Sequence, residues 1–436
     1  MRWRLTRHRA ERQRLLPFLE RTRRRERWFQ RAIVVLTLLA MAGVVVSSRV
    51  GRSYARVLLT GARPLAARLV GLEPDRAEVE AHLAVRRAGT VDAIHQSLSR
   101  YYRDAPPAMQ RLFRVTGMDP EHALIGSGRV TDAFLLSPQV FEADTHGRSH
   151  RLRPGVRSVW LRRVTLHSGP FGLFLVRDDP EVRAAAVAAD AIVDEPSRQT
   201  TNSWGLRGPE PDPQARVRGV VLGDSFMQGM FNGDRDTPPL SLERALRALW
   251  SVPVSVLNTG HIGYAPEQYY HTLQEYGARF RPHFVVVSVC PNDFGNGAAV
   301  MAGRGDDWNE AAWWLEQVVQ WCRTRSLPCL LVPAPTDVQI VGRRKDGRYP
   351  APVCDLYRGG GSSYCDPLDQ FVDEHLRLAR EALRQGAPLK KSPLYNGHID
   401  DNHFSPAGAE LWARIVARRL DLLMGLRGEE PIVGAR

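Results

Sequence analysis

From Val217 onward, short apolar runs alternate with longer amphipathic stretches. Val217–Leu222, Val254–Leu257, Phe284–Val289 (apolar except for Ser288) and Cys329–Val332 read as buried strands. Pro239–Trp250, Pro266–Phe280, Asp307–Arg325, Asp369–Arg384 and Pro406–Leu423 carry the longer helical period. Strands alternating with helices in this way predict an α/β fold with a parallel sheet covered on both faces. Ligand groups in such sheets gather beyond the carboxyl ends of the strands.

Upstream the pattern is less regular. Tyr54–Val70 is amphipathic and punctuated by Arg, and predicts a juxtamembrane helix. Asp75–Gly126 continues with helical patterning, interrupted at Pro106-Pro107. Between Arg157 and Arg177 two apolar runs joined by a Ser-Gly-Pro turn predict strands, and Ala-rich Val182–Val193 predicts a short helix. Pro209–Gln214, with three Pro in six residues, reads as a loop or linker. Residues 49–200 therefore form a mixed α/β accessory region, and they show no chemical signature that assigns it a role.

Ala32–Ser48 is a run of 17 residues without a charge, between Arg31 and Arg49. As a helix it spans roughly 25 Å, slightly less than a hydrocarbon core of ~30 Å, and the flanking Arg side chains can snorkel to the interface. A buried core helix fits less well, because the run is apolar on all faces and follows a dense basic block. Residues 1–31 hold 12 Arg against 3 Glu, so they account for most of the net charge of +13. The positive-inside rule keeps that tail in the cytoplasm and sends the remainder across the membrane. No small-x-small cleavage site follows, so an uncleaved signal anchor is expected rather than a signal peptide. The expected organisation is a basic cytoplasmic tail (1–31), a transmembrane anchor (32–48), the accessory region (49–200), a catalytic domain (201–425) and a tail (426–436). The protein is thus expected to be single-pass in the cytoplasmic membrane, with its catalytic part periplasmic or extracytoplasmic.

Composition adds exclusions. With 43% hydrophobic and 25% charged residues, the chain is neither collagen-like, disordered nor a disulfide-dense miniprotein. Its basic residues are 57 Arg against 3 Lys, a ratio that looks like coding bias, and no nucleic-acid partner is expected. Five Cys lack zinc-site spacing. Cys354 and Cys365 bracket a Gly-rich loop and are the better disulfide candidates in an oxidising compartment; Cys322 and Cys329 are a weaker pair, and Cys290 reads as a free core thiol. Trp308, Trp313, Trp314 and Trp321 share one predicted helix and read as core. Thr336–Ile399 is long enough to hold a lid or specificity element.

Four short segments carry candidate chemistry. Gly223-Asp224-Ser225-Phe226 follows the first strand, where the glycine permits a sharp bend and the serine hydroxyl stands at the sheet edge. Asn258-Thr259-Gly260-His261-Ile262-Gly263-Tyr264 follows the second strand and Pro291-Asn292-Asp293 the third, while Asp400-Asp401-Asn402-His403 precedes the last helix. Each alone is ordinary turn material. Together they supply what acyl transfer needs: a nucleophile, a base, an orienter for the base and donors for an oxyanion. Ser225 offers the hydroxyl, His403 the imidazole and Asp400 the carboxylate that sets its tautomer. The Ser225 N–H, the Gly263 N–H (with Gly260 a nearby rival) and the Asn292 amide are the candidate oxyanion donors. His261 reads as structural or as a substrate contact.

The order and spacing of these blocks resemble the SGNH (GDSL-type) hydrolase family over about residues 200–425. Gly223-Asp224-Ser225, Gly263 within Asn258-x-Gly260-x-x-Gly263, Asn292-Asp293 and Asp400-x-x-His403 match its four blocks. Asn202-Ser203-Trp204-Gly205-Leu206-Arg207-Gly208 is similar to a segment that precedes the first strand in some envelope-associated members. The third block departs from the usual Gly-x-Asn-Asp, having Cys290-Pro291 before Asn292. The resemblance implies a flavodoxin-like three-layer α/β/α sandwich and a serine esterase or acyltransferase without metal or cofactor. Its expected substrate is an O-acyl ester on an envelope glycan or lipid. A non-catalytic relative that binds glycan or scaffolds an assembly is the alternative.

Overall fold

The computed structural model describes residues 91–127, 133–144, 146, 148–162, 173–294, 308–342, 363–396 and 403–425. All of them belong to one unit spanning Val79–Arg436. The basic tail, the apolar segment 32–48, the expected juxtamembrane helix and the tail after 425 lie outside the described residues. Among the described residues, no helix is long and apolar enough to cross a membrane.

The accessory region begins with two helices, α1 (91–104) and α2 (Pro107–Val115), separated at the predicted Pro-Pro break. Helical patterning was expected to run to Gly126, but Leu124–Ser127 is a strand, β1, paired antiparallel with β2 (Ala133–Leu136). A second hairpin joins β3 (Phe141–Ala143) to β4 (His150–Leu152). The apolar runs between Arg157 and Arg177 become β5 (Arg157–Arg162) and β6 (Leu173–Arg177), which pair antiparallel. Helix α3 (Pro180–Ala188) starts on an Asp179 cap that accepts from the Val182 N–H at 2.9 Å.

That helix was expected to reach Val193, but it stops at Ala188, and Ile192–Thr200 forms β7 along the other side of β5. β7 carries no strand signal in its sequence, IVDEPSRQT, which contains a proline and three charges. As an edge strand it tolerates both. Its register against β5 shifts between Ser158 and Trp160, and Pro196 falls in the shifted stretch, where no ladder N–H is required.

The period of two gives this small sheet two apolar faces. Val159, Leu161, Phe174 and Val176 join Leu112, Phe113, Val182 and Ala185 in a core of the accessory region's own. Trp160 and Leu175 point the opposite way, into a cluster with Leu152, Met230 and Phe231.

Beyond Pro209–Gln214, which is a loop as expected, comes a five-stranded parallel sheet. Its strands are β8 (Val217–Leu222), β9 (Val254–Asn258), β10 (Phe284–Val289), β11 (Cys329–Pro333) and the short β12 (Ser363–Tyr364), in the order β12-β11-β10-β8-β9. In order of appearance this is 2-1-3-4-5, the flavodoxin-like arrangement. β12 was not expected; two residues are too short for a periodic signal.

Alternate strand residues enter separate cores on the two faces of the sheet. Val221, Val254, Val286 and Leu330 pack with α5 (Pro238–Trp250), α9 (Leu368–Arg384) and α10 (Pro406–Met424). Val220, Leu257, Val285, Val287 and Leu331 pack with α6 (Pro266–Thr272), the π turn Leu273–Gly277 that continues it, and α7 (Trp308–Arg323). This is the expected three-layer sandwich. Predicted bounds hold within two residues for these strands and helices, apart from the π turn inside Pro266–Phe280. On the tryptophan helix Trp314 and Trp321 are buried as expected of core, whereas Trp313 is half-buried and the Trp308 side chain lies outside the described residues. The Thr336–Ile399 stretch contains α8 (Asp337–Gly342), β12 and α9, and residues 343–362 and 397–399 of it lie outside the described residues.

Candidate active site

Strand β8 lies between β9 and β10, so the chain leaves β8 to one side and returns on the other. The loops after these three strands therefore border one crevice, the expected place for ligand chemistry. Gly223-Asp224-Ser225 opens that crevice, and Ser225 begins a short helix, α4 (Ser225–Gln228). The Asp224 carboxylate caps it by accepting the Phe226 N–H at 2.9 Å. The Ser225 N–H itself has no hydrogen-bond acceptor among the described residues.

His403, 178 positions downstream, places Nε2 2.7 Å from Ser225 Oγ. The serine hydroxyl is also 3.4 Å from Asp224 Oδ2, but one proton serves one acceptor, and the shorter approach is to the imidazole. A neutral ring that accepts at Nε2 carries its proton at Nδ1. The residue expected to receive that proton, Asp400, lies outside the described residues. The His403 ring is held between Phe226 (centroids 4.8 Å) and Phe231 (6.3 Å). Asn396 ties His403 to its surroundings: its N–H donates to His403 O at 3.0 Å, and its Nδ2 donates to Met230 O at 3.2 Å and Phe404 O at 3.0 Å.

The loop after β9 runs directly against α4. A side chain at Gly260 would collide with the Gln228 amide at 2.2 Å, so only glycine permits this approach. Gly260 and Gly263 differ in what their amides do. Gly260 N–H donates to Asn258 Oδ1 at 3.0 Å, whereas Gly263, at φ +68°, has an amide without an acceptor among the described residues. The free donor is therefore at Gly263. Ile262 N–H between them is taken by Gln228 Oε1 at 2.6 Å, which ties this loop to the nucleophile helix.

After β10, Asp293 organises the turn by accepting from Cys290 N–H at 2.8 Å and from the Tyr269 hydroxyl at 2.8 Å. Asn292 Nδ2 donates one hydrogen to Asp224 Oδ2 at 3.3 Å and keeps a second. The family resemblance leads one to expect glycine at 290. Here the Cys290 thiol lies 2.9 Å from Asp224 Oδ2 and in contact with Asn292 Oδ1. Burial and the neighbouring Asp224 and Asp293 carboxylates push that thiol well above its ordinary pKa, so it stays protonated and acts as a donor. An S–H beside Oδ1 favours the amide orientation that turns Nδ2 towards Asp224. Cys290 is buried and unpaired as expected, but its place beside Asp224 was not legible from spacing. Cys365 is also a free thiol, and Cys354 lies outside the described residues.

The segment before β8 has a clear local logic. Asn202 Oδ1 accepts from the Trp204 and Leu206 amides at 3.0 Å each, and this turn sends Arg207 inward. The guanidinium is buried against the end of α4, where it donates to Gly229 O at 2.6 Å, to Asn232 O at 2.5 Å and to Gln228 O. Burial lowers its pKa to about 10, which leaves it charged at neutral pH. His261 is 2% exposed and structural rather than a surface group.

Residues 221–411 match the model of the GDSL-like Lipase/Acylhydrolase family. No curated protein matches the chain. Among solved structures, an acetylxylan esterase from Geobacillus stearothermophilus is similar at 18% identity and a TM-score of 0.36, over 50% of this chain and 96% of that one. A lipase/acylhydrolase from Enterococcus faecalis is similar at 17% identity and a TM-score of 0.33, over 48% of this chain and 96% of that one.

Proposed function

With residues 221–411 a GDSL-like lipase/acylhydrolase domain, and so a carboxylic ester hydrolase, we propose that the protein cleaves or transfers an O-acyl ester on a cell-envelope glycan or lipid through an acyl-enzyme on Ser225. The observation that carries the reading is the 2.7 Å approach of His403 Nε2 to Ser225 Oγ at the carboxyl ends of the parallel strands. Ser225 Oγ attacks the ester carbonyl as His403 takes its proton. The tetrahedral oxyanion is met by the Ser225 and Gly263 amides and the second Asn292 Nδ2 hydrogen. Its collapse expels the alcohol, which takes the proton from His403, and leaves acyl-Ser225. Water, or a second alcohol, then attacks the acyl group with His403 again as base. Asp400 is assigned to hold His403 Nδ1.

The envelope placement rests on sequence: a basic block, then the apolar run Ala32–Ser48, then Arg49. Hydrolysis and transfer use the same residues and differ in the final acceptor. Treatment of the full-length protein with a fluorophosphonate probe tests the core of the reading. Labelling is expected, and it is expected to vanish in Ser225→Ala. Folded wild-type protein that stays unlabelled would overturn the reading in favour of a binding or scaffolding domain. Product analysis with an acetylated glycan, with and without an added glycan acceptor, separates hydrolase from transferase.

A further inference from the structure

The accessory region, which carries no chemical motif, touches the site at two places. At the first, hairpin β3–β4 grips the loop that carries Gly263. His150 Nε2 stands 3.0 Å from Ile262 O, and the Leu152 N–H points at His261 Nε2 at 3.4 Å. The Tyr264 hydroxyl donates back to His150 O at 2.6 Å. These contacts fix both tautomers. A carbonyl can only accept, so His150 carries its proton on Nε2, while its Nδ1 faces the Ser149 hydroxyl at 2.7 Å. An amide N–H can only donate, so His261 accepts at Nε2 and carries its proton on Nδ1, 3.1 Å from Thr259 O. Both rings are neutral: burial brings His150 down to about 4 and His261 to about 3. The His261 and Tyr264 rings stack at 4.6 Å, and Tyr264 meets the His150 ring edge-on at 5.2 Å.

At the second place, Trp160 of β5 packs on Phe231 with centroids 5.2 Å apart. Phe231 is a buried non-glycine residue at φ +66°, a costly conformation that persists where its surroundings impose it. Its ring meets that of His403 edge-on at 6.3 Å, beside the closer Phe226 at 4.8 Å. Trp160, Leu152, Phe141, Met230 and Phe231 form one cluster, with Ile262 against it.

Resting on the ester-hydrolase reading above, we propose that hairpin β3–β4 and Trp160 are positioning elements of the active site: His150 and the Leu152 amide set the 259–264 loop so that the Gly263 N–H faces the reacting carbonyl, and Trp160, through Phe231, sets the ring plane of His403. The accessory region completes a site that the matched domain 221–411 does not close by itself.

The test uses the full-length protein, p-nitrophenyl acetate turnover and the rate constant of fluorophosphonate labelling, since both reactions build negative charge on an oxygen in the same hole. His150→Phe keeps a ring but removes the donor to Ile262 O. It is expected to lower kcat about 10- to 100-fold with KM little changed, and to slow labelling by a similar factor, because one oxyanion donor is misplaced rather than deleted. His150→Gln restores a donor near the Nε2 position and is expected to recover most of the rate. Tyr264→Phe loses the return bond and is expected to fall between them. A purely structural role predicts otherwise: a lower melting temperature and fewer labelled molecules, but a wild-type rate constant in those that label. That outcome would overturn the inference. Should His150→Phe not fold, Tyr264→Phe and Trp160→Phe decide it, and wild-type kcat in both would overturn it equally. A wild-type protein that neither turns over nor labels overturns the ester-hydrolase reading and takes this inference with it.

Discussion

In the parallel sheet every residue of β9, β10 and β11 is buried, because helices cover both faces. Its candidate reacting groups, Ser225, Gly263 and Asn292, stand where the strands stop. In the antiparallel sheet of the accessory region both faces of β5 are buried as well, but each packs on a different partner: Val159 and Leu161 build a private core, while Trp160 between them reaches Met230 and Phe231. One sheet carries the reacting groups at its ends, and the other supplies support from its face. Stability and reactivity are therefore divided between regions, and substitutions in the two should fail in different ways.

The sharpest contrast is at the nucleophile. Ser225→Ala should lower turnover by about 10⁴-fold or more. Its melting temperature should stay within experimental scatter, because the lost hydroxyl touches only His403 and, weakly, Asp224. Retained turnover would break the division outright. Arg207→Met should fail in the other manner. It leaves three buried carbonyls at the end of α4 without their donor, and should cost about 3–5 kcal/mol of unfolding free energy in denaturant titration. Unchanged stability would show that Arg207 is not what holds that helix end.

Asn292→Ala is expected to lower kcat by about 10²–10³-fold, the usual effect of deleting one oxyanion donor, with KM little altered. A change confined to KM would move Asn292 from the oxyanion to substrate binding. The smallest expected effect concerns pH and the contact between the two regions. Folded His150 titrates near 4, below its ordinary 6.5, so on acidification the unfolded chain takes up the proton first. Its contribution is complete above about pH 6.5, erodes as pH falls towards 4, and then levels, a loss of about 3 kcal/mol from this residue. His261, titrating near 3, acts in the same direction, and the neighbouring Arg148 opposes protonation of both rings. Thermal melts between pH 7 and 4 check this. His150→Gln should flatten part of the slope, and an unchanged slope would mean that His150 is not the group lost.

Much of the catalytic half was legible because its signals are local. Strands buried on both faces are written as continuous apolar runs, and Phe284–Val289 could be bounded to the residue. The candidate blocks stood out because each carries turn-forming residue types in restricted order. The accessory half was less legible for equally physical reasons. β7 is an edge strand with a register shift, so its alternation is broken and its proline tolerated. His150 and Trp160 look like any apolar or polar strand residue until their neighbours are known. Cys290 was identified as a buried thiol, but its contact with Asp224 depends on two strands being adjacent.

By itself the sequence determined the α/β class, the approximate bounds of the catalytic strands and helices, and the identities of Ser225, His403, Gly263 and Asn292 as candidates. These follow from periodicity and turn chemistry, which act over a few residues. Tertiary structure alone decided that His403 meets Ser225 and that hairpin β3–β4 closes on the loop that carries Gly263. Such contacts join segments tens to hundreds of residues apart, and no local pattern encodes which surfaces meet when separate layers fold together.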